Sequence, residues 1–187
     1  MAEVNLDRLL VGREAIERRV GELAEQISAD YSGAAAPISI IVVLKGAVFF
    51  AMDLLRQLAI PARIDFVQVS SYHGRFDSVG EVTLQKDITM AIGGTDVLLI
   101  EDIVDTGLTA SWLIEHLQTH RPRSVRLATL LSKPDRRRMP VTIDYTGFVI
   151  PDAFVLGYGL DFEEGYRHLP EVYVASPRTG EPEPHRE

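Results

Sequence analysis

Apolar residues recur at Ile16, Val20, Leu23 and Ile27, with charged residues between them. That spacing follows one face of a 3.6-residue helix and predicts an amphipathic helix from about Arg13 to Tyr31. After a Gly33–Pro37 linker the pattern changes. Ile38 to Leu44 is unbroken, apolar and rich in β-branched residues, as a strand buried on both faces requires. Ala47 to Leu58 reads as a helix that ends before Pro61. Arg63 to Ser70 reads as a second strand with Ile64 and Phe66 on one face. A polar loop, Ser71 to Gly80, leads to a short strand at Val82 to Gln85. Gly93-Gly94 marks a turn, and Val97 to Ile100 is another buried strand. Thr109 to His120 reads as a helix stopped by Pro122, followed by a strand at Val125 to Leu131 and a polar loop at Ser132 to Pro140. Short strands are expected at Phe148 to Ile150, Phe154 to Leu156 and Val172 to Ala175. Strand and helix alternate, which predicts an α/β fold with a central, mainly parallel sheet flanked by helices. The terminal strands are expected to form a small hood, and residues 1–175 a single domain. The proline-rich, polar residues 176–187 read as a disordered tail.

Composition narrows the function classes. The 187-residue chain is 46% hydrophobic and 25% charged, with a formal net charge of -8. An acidic balance argues against nonspecific binding to nucleic acid or to an anionic membrane, both of which need a basic field. The chain has no cysteine, so disulfides, zinc-thiolate sites and a cysteine nucleophile are excluded. A reducing cytoplasm suits such a chain. The N-terminal residues show no secretory h-region, and the most apolar stretch is interrupted by Lys45 and Gly46 and is too short to span a bilayer.

The chemistry concentrates in residues 97–110, VLLIEDIVDTGLTA. In open α/β sheets ligands bind beyond the carboxyl ends of the strands, so Glu101 to Thr109 is expected to be the loop at the binding edge. Thr106, Gly107, Leu108 and Thr109 enter a helix whose amides and positive end favour an anion. Gly107 permits close backbone approach, the two threonines add hydroxyl donors, and Leu108 offers only its amide. Glu101 and Asp102 need a different target. Carboxylates suit diol hydroxyls, or a magnesium ion that rides on substrate phosphates. A sugar phosphate combines both demands. The loop lacks the glycine and lysine pattern of a Walker A motif, and Gly157-Tyr158-Gly159 does not complete a dinucleotide fingerprint. His116 and His120 stand four apart near a helix end without an H-E-x-x-H context. Favourable helix-end charge explains them better than a metal pair.

VLLIEDIVDTGLTA resembles the PRPP-binding signature of the purine phosphoribosyltransferases. The resemblance extends through VVLKGAVFF, VSSYHG, LLSKPDRR and GFVIPDAFVLGYGLDFEEGYRHLP, roughly Val11 to Ala175, and points to the 6-oxopurine branch of the type I family. It implies transfer of a phosphoribosyl group from PRPP to hypoxanthine or guanine, with magnesium as cofactor. By the same resemblance, Thr106 to Thr109 hold the 5′-phosphate, and Glu101 and Asp102 face the ribose hydroxyls and the metal. Lys45 and Gly46 hold the diphosphate after a cis peptide between Leu44 and Lys45, and Arg167 contacts diphosphate oxygens. Asp161 would be a metal ligand, and Asp105 the base at purine N7. Lys133 would donate to the purine's exocyclic oxygen, Phe154 would stack on the base, and Val155 would meet the base edge. Ser71 and Tyr72 would begin a loop that closes over the reaction centre. A homo-oligomer, dimer or tetramer, is expected.

Physical chemistry supports part of this independently. An ammonium only donates hydrogen bonds, so Lys133 suits a carbonyl and leaves an amino group unmatched. An ordinary aspartate is a weak base, so Asp105 needs a raised pKa for its role, or it acts mainly by hydrogen bonding as the purine loses its proton. Arg136 to Arg138 read as solvated surface. Two alternatives remain open: a xanthine-preferring transferase, and an RNA-binding regulator built on the same fold, which would need a basic face.

Overall fold

A strand with no polar side must be covered above and below, and that requirement organises the molecule. The computed structural model describes residues 4–72 and 81–177. Its elements are β1 (Val4–Val11), α1 (Arg13–Asp30), β2 (Ile38–Val43), α2 (Ala47–Gln57), β3 (Ala62–Tyr72), β4 (Glu81–Lys86), β5 (Asp96–Val104), α3 (Leu108–Gln118), β6 (Ser124–Ser132), β7 (Tyr145–Val149), β8 (Val155–Leu156) and β9 (Val172–Pro177). The main sheet has the order β4-β3-β2-β5-β6-β7. Its pairings are parallel except for β4, which lies antiparallel on β3 at the edge.

Every residue of β2 is buried, and its side chains divide between the two faces. Ile38, Ile40 and Val42 join Leu98 and Ile100 of β5 in a core closed by Ile16, Val20, Leu23 and Ile27 of α1 and by Phe50 and Leu54 of α2. Ile41 and Val43 join Val97, Leu99 and Leu127 on the other face, under Leu113 and Leu117 of α3. The period of two along the strand and the 3.6-residue stripe on α1 therefore meet in one core.

The hood is a separate antiparallel sheet of order β1-β9-β8. The sequence pattern does not reveal β1. Five consecutive residues of this edge strand, Asn5 to Leu9, are exposed, Leu6 and Leu9 among them. It is held by backbone pairing with β9, so it carries no burial period.

The structure corrects several expected boundaries. β5 continues to Val104, so Glu101 and Asp102 belong to the strand and not to a loop. Backbone pairing of Glu101 with Thr129 and of Val104 with Ser132 carries the ladder past the last apolar run. β3 continues through Ser71 and Tyr72, which pair with Val82 and Glu81. The expected closing loop beyond Tyr72 lies outside the described residues. Ser176 and Pro177, expected in the tail, end β9 opposite Asn5 and Val4; the remainder of the expected tail lies outside the described residues. Among the described residues, no helix is long and apolar enough to cross a membrane.

Candidate active site

Three chain segments converge beyond the carboxyl ends of β2 and β5. β2 ends in a cis peptide between Leu44 and Lys45, as the resemblance implies, and Gly46 follows. A Cβ at Gly46 would lie 1.6 Å from Asp102 Oδ2, so only glycine lets the carboxylate stand where it does. Gly159, with φ +99°, presses from the hood, where a Cβ would lie 2.1 Å from Gly46 O. Lys45, Gly46, Asp102 and the 157–167 segment thus share one small space.

The carboxylates in that space are under electrostatic pressure. Glu101 is 7% exposed. Burial, then the neighbouring Asp102, pushes its carboxyl well above the usual range. Burial also raises Asp102, against the opposing pull of the Ile103 amide and of Glu101. Each carboxylate accepts from the next backbone amide, Glu101 from Asp102 N at 3.1 Å and Asp102 from Ile103 N at 2.7 Å. A buried acid beside a half-buried one is relieved by hydroxyl donors or a cation.

The cations of the site are already engaged with acids. Arg167 Nη1 donates to Gly159 O at 2.7 Å, and its Nη2 lies 2.8 Å from Asp161 Oδ1. Its Nε is buried without a hydrogen-bond partner among the described residues. Lys45 Nζ donates to Glu164 Oε2 at 2.8 Å, and the same oxygen lies 3.5 Å from Arg167 Nη2. Sequence reasoning assigned nothing to Glu164. Its only signal was a second acid in the run Glu163-Glu164-Gly165.

The expected anion loop turns at glycine. Gly107 takes φ +84° and is the N-cap of α3, with no side chain to cap the first-turn amides. A Cβ there would lie 2.6 Å from Met139 O. Thr106 O accepts from Arg138 N at 2.9 Å and Met139 N at 3.0 Å, so the 133–139 segment braces the loop. Leu108 N lies 3.4 Å from Thr106 Oγ1, and Thr109 is half-buried in the first turn of α3.

Beside the loop stands Asp105. Lys133, 6% exposed, places Nζ 3.8 Å from Asp105 Oδ2. Arg136 places Nε 2.9 Å from Asp105 Oδ1 and Nη1 3.3 Å from Asp152 Oδ1. The Arg136 contact is an ion pair without hydrogen-bond alignment, for Asp105 Oδ1 is buried and has no hydrogen-bond partner among the described residues. Burial raises the Asp105 pKa, and Lys133 and then Arg136 hold the rise back. This is the direction of the first of the two expectations for Asp105.

Two arginines overturn the surface reading of Arg136 to Arg138. Arg136 faces Asp105, and Arg137 Nη2 donates to Val104 O at 3.3 Å and Ser132 Oγ at 3.1 Å. Arg138 alone of the three is exposed. A 3₁₀ turn at Pro134–Arg136 folds the arginine back onto the strand end, and proline directly after Lys133 was the signal for that turn. The hood reaches the same edge through Asp152 and through Ile150 N, which donates to Ser132 O at 2.9 Å. Two residues beyond Asp152, the half-buried Phe154 ring stands edge-on to Phe162 at 5.9 Å. Val155 is buried and pairs with Val174. Ser71 and Tyr72 end β3.

A parallel-centred sheet with a glycine turn into a helix N-terminus, adjacent acids at a strand end, and Lys45 and Arg167 facing one edge is the architecture of a nucleotide-handling transferase. The phosphoribosyl transferase domain family matches residues 10–163. The hypoxanthine-guanine phosphoribosyltransferase of Mycobacterium avium is 46% identical over 179 residues, which cover 94% of this chain and 88% of that protein. The solved structure of a hypoxanthine phosphoribosyltransferase from Staphylococcus aureus aligns with TM-score 0.88 at 40% identity, covering 95% of each chain. A Trypanosoma cruzi hypoxanthine phosphoribosyl transferase, solved to study the role of its C-terminal region in oligomeric state and activity, aligns with TM-score 0.85 at 40% identity. It covers 90% of this chain and 91% of that one. The chain belongs to the phosphoribosyl transferase family and, within it, to the hypoxanthine-guanine phosphoribosyltransferases.

The donor set suits the magnesium that the family resemblance implies. Magnesium prefers oxygen ligands and is held by one or two carboxylates together with substrate phosphates. Asp102 and Glu101 offer carboxylate oxygens in a crowded, low-dielectric space. Among the described residues, Glu101, Asp102 and Asp161 do not bring one donor atom each within 4.8 Å of both others. They do not form a closed protein cage.

Proposed function

We propose that the protein transfers the 5-phosphoribosyl group from PRPP to hypoxanthine or guanine, releasing diphosphate and the nucleoside monophosphate. The observation that carries this reading is Asp105 Oδ1, a buried carboxylate oxygen without a hydrogen bond among the described residues, beside the buried ammonium of Lys133. A 6-oxopurine presents a matching group to each. Its exocyclic oxygen accepts from Lys133, and its N7–H donates to Asp105. Adenine carries an amino group at that position, which sets a donor against a donor, a strong ground for rejection.

Thr106 to Thr109 bind the 5′-phosphate through backbone amides and the threonine hydroxyls. Glu101 and Asp102 accept hydrogen bonds from the ribose hydroxyls. Lys45, the Gly46 backbone and Arg167 grip the diphosphate, with Ser71 and Tyr72 at the adjoining strand end. Phe154 covers the face of the base, and Val155 meets its edge through backbone groups. As the bond between the anomeric carbon and diphosphate weakens, positive charge grows on the ribose, and the acids beneath it favour that charge. Asp105 takes the N7 proton while the purine forms its new bond; a carboxyl already raised by burial is better suited to this task than an ordinary one. Magnesium, held by Asp102, Glu101 and Asp161 with the substrate's oxygens, would neutralise charge on the departing diphosphate.

The reading includes a homo-oligomer in the cytoplasm with no nucleic-acid or membrane partner. The names of the relatives favour it over an RNA-binding regulator or a xanthine-preferring enzyme. The test is product formation from PRPP and magnesium with hypoxanthine, guanine, xanthine, adenine and uracil in parallel. Turnover with hypoxanthine or guanine and none with adenine or uracil is expected. Preference for xanthine, or no turnover with any base, overturns the reading.

A further inference from the structure

The far end of α3 carries a second cluster that the phosphoribosyl chemistry does not use. His116 lies in the last turn of the helix, and His120 follows in a turn that continues the helical path. His120 N donates to Leu117 O at 3.1 Å, so the two imidazoles stay on one side. The residue after β4, Asp87, faces them. His116 Nε2 lies 2.9 Å from Asp87 Oδ1, and one donor atom from each of the three residues lies within 4.8 Å of the others. Sequence spacing could pair the histidines but could not bring in Asp87, which is nearly thirty positions away and reaches them only because α3 packs beside β4.

We propose that Asp87, His116 and His120 form a binding site for a divalent transition-metal ion of the zinc class, separate from the reaction centre. The donor chemistry selects the ion. Two imidazole nitrogens and one carboxylate oxygen suit zinc or nickel, whereas magnesium favours oxygen alone. Three protein ligands leave a fourth tetrahedral position for water.

Two of the three ligands are already oriented. The His116 ring stacks on Trp112 with centroids 5.2 Å apart and planes 7° from parallel. Asp87 Oδ1 also accepts from Ile88 N at 2.7 Å, which fixes the carboxylate. His120 is exposed and meets the His116 ring at 5.4 Å and 74°. An ion about 2.0–2.1 Å from each ligand needs donor atoms roughly 3.3 Å apart. The Asp87–His116 contact opens slightly for this, and the exposed His120 side chain swings inward.

The site is about 15 Å from the anion loop, one length of α3 at 1.5 Å per residue. A bound ion ties the end of that helix to the end of β4, the strand paired with β3 at Ser71 and Tyr72. It therefore fastens together two elements that frame the reaction centre without touching it.

The test uses full-length protein stripped of metal, titrated calorimetrically with zinc chloride and separately with nickel chloride, without PRPP or magnesium. The imidazole proton resonances are followed in parallel. One equivalent of zinc is expected to shift the His116 and His120 rings and to raise the melting temperature. His120→Ala should weaken that binding at least tenfold and leave magnesium-dependent turnover unchanged. Asp87→Asn should weaken it as well. Asp161→Asn, at the reaction centre, should leave it intact. Zinc affinity that is equal in wild type and His120→Ala, or that is lost in Asp161→Asn instead, overturns the site. So does a titration in which neither ring responds.

Discussion

Arg136→Ala probes the electrostatics of Asp105 directly. In the wild type, Arg136 Nε lies 2.9 Å from Asp105 Oδ1, with side chains 19% and 15% exposed. At an effective dielectric constant of about 20, that separation gives an attraction of about 6 kcal/mol as an upper bound. Water entering the vacated space and the remaining Lys133 at 3.8 Å compensate for much of it. An opposite charge at this range ordinarily lowers an aspartate by about 1–3 pH units, and the lower end applies to a site that solvent can reach. Burial already raises Asp105, and Arg136 restrains the rise. Removing the guanidinium therefore raises it further, and under the proposed mechanism Asp105 must be ionised to accept the N7 proton. The acid limb of kcat/KM for hypoxanthine, measured at saturating PRPP, should move up by about one pH unit. Activity should be lost at low pH and recovered toward wild type at high pH. Arg136→Lys should move the limb less. Asp152→Asn should move it slightly down, because the Asp152 charge raises Asp105. Asp105→Asn should slow turnover at every pH while leaving PRPP affinity nearly unchanged. If Arg136→Ala lowers activity equally at all pH values, the arginine only positions its neighbours and the electrostatic argument is wrong.

Three further outcomes follow from contacts elsewhere. Glu164 holds Lys45 at 2.8 Å and lies only 3.5 Å from Arg167, which Asp161 still holds, so Glu164→Gln should release Lys45 and tighten diphosphate binding several-fold by calorimetry; an unchanged Kd refutes that role. Gly107→Ala forces a side chain to φ +84° and within 2.6 Å of Met139 O. It should cost about 1–3 kcal/mol in urea unfolding and raise the PRPP Kd about tenfold, and unaltered PRPP affinity would show that the loop tolerates a side chain. Asp65 is buried, which alone would raise its carboxyl, but hydrogen bonds from Met90 N, Phe66 N, Thr89 N and Thr89 Oγ1 hold it at about 2. That depression contributes about 2 kcal/mol above pH 4 and is lost as pH falls toward 2. Urea curves should show Asp65→Asn less stable by that amount at pH 7, with the gap narrowing below pH 4 and closing only as pH falls through about 2; a gap independent of pH counts against the account.

Local order along the chain was enough to define the sheet's centre and the glycine turn that enters α3. β2 and the apolar half of β5 are legible because a strand covered on both faces must be apolar throughout. The N-terminus of α3 is legible because an anion loop needs glycine and short hydroxyl residues in immediate succession. Lys45, Asp105 and Lys133 each follow an apolar strand, and sheet topology puts strand ends together. What sequence could not supply were relations between distant segments. Arg136 reads as one of three surface arginines until a 3₁₀ turn aims it at Asp105. β1 is invisible because its partners are backbone groups of β9. Glu164 and Asp87 acquire meaning only from Lys45 and His116, side chains that the fold carries to them across long stretches of chain. Hydrophobic periodicity reports the solvent on each side of an element, and so it determines the layers. The position and ionisation of a buried charge depend on which other charges lie within a few ångströms, and only the packed fold decides that.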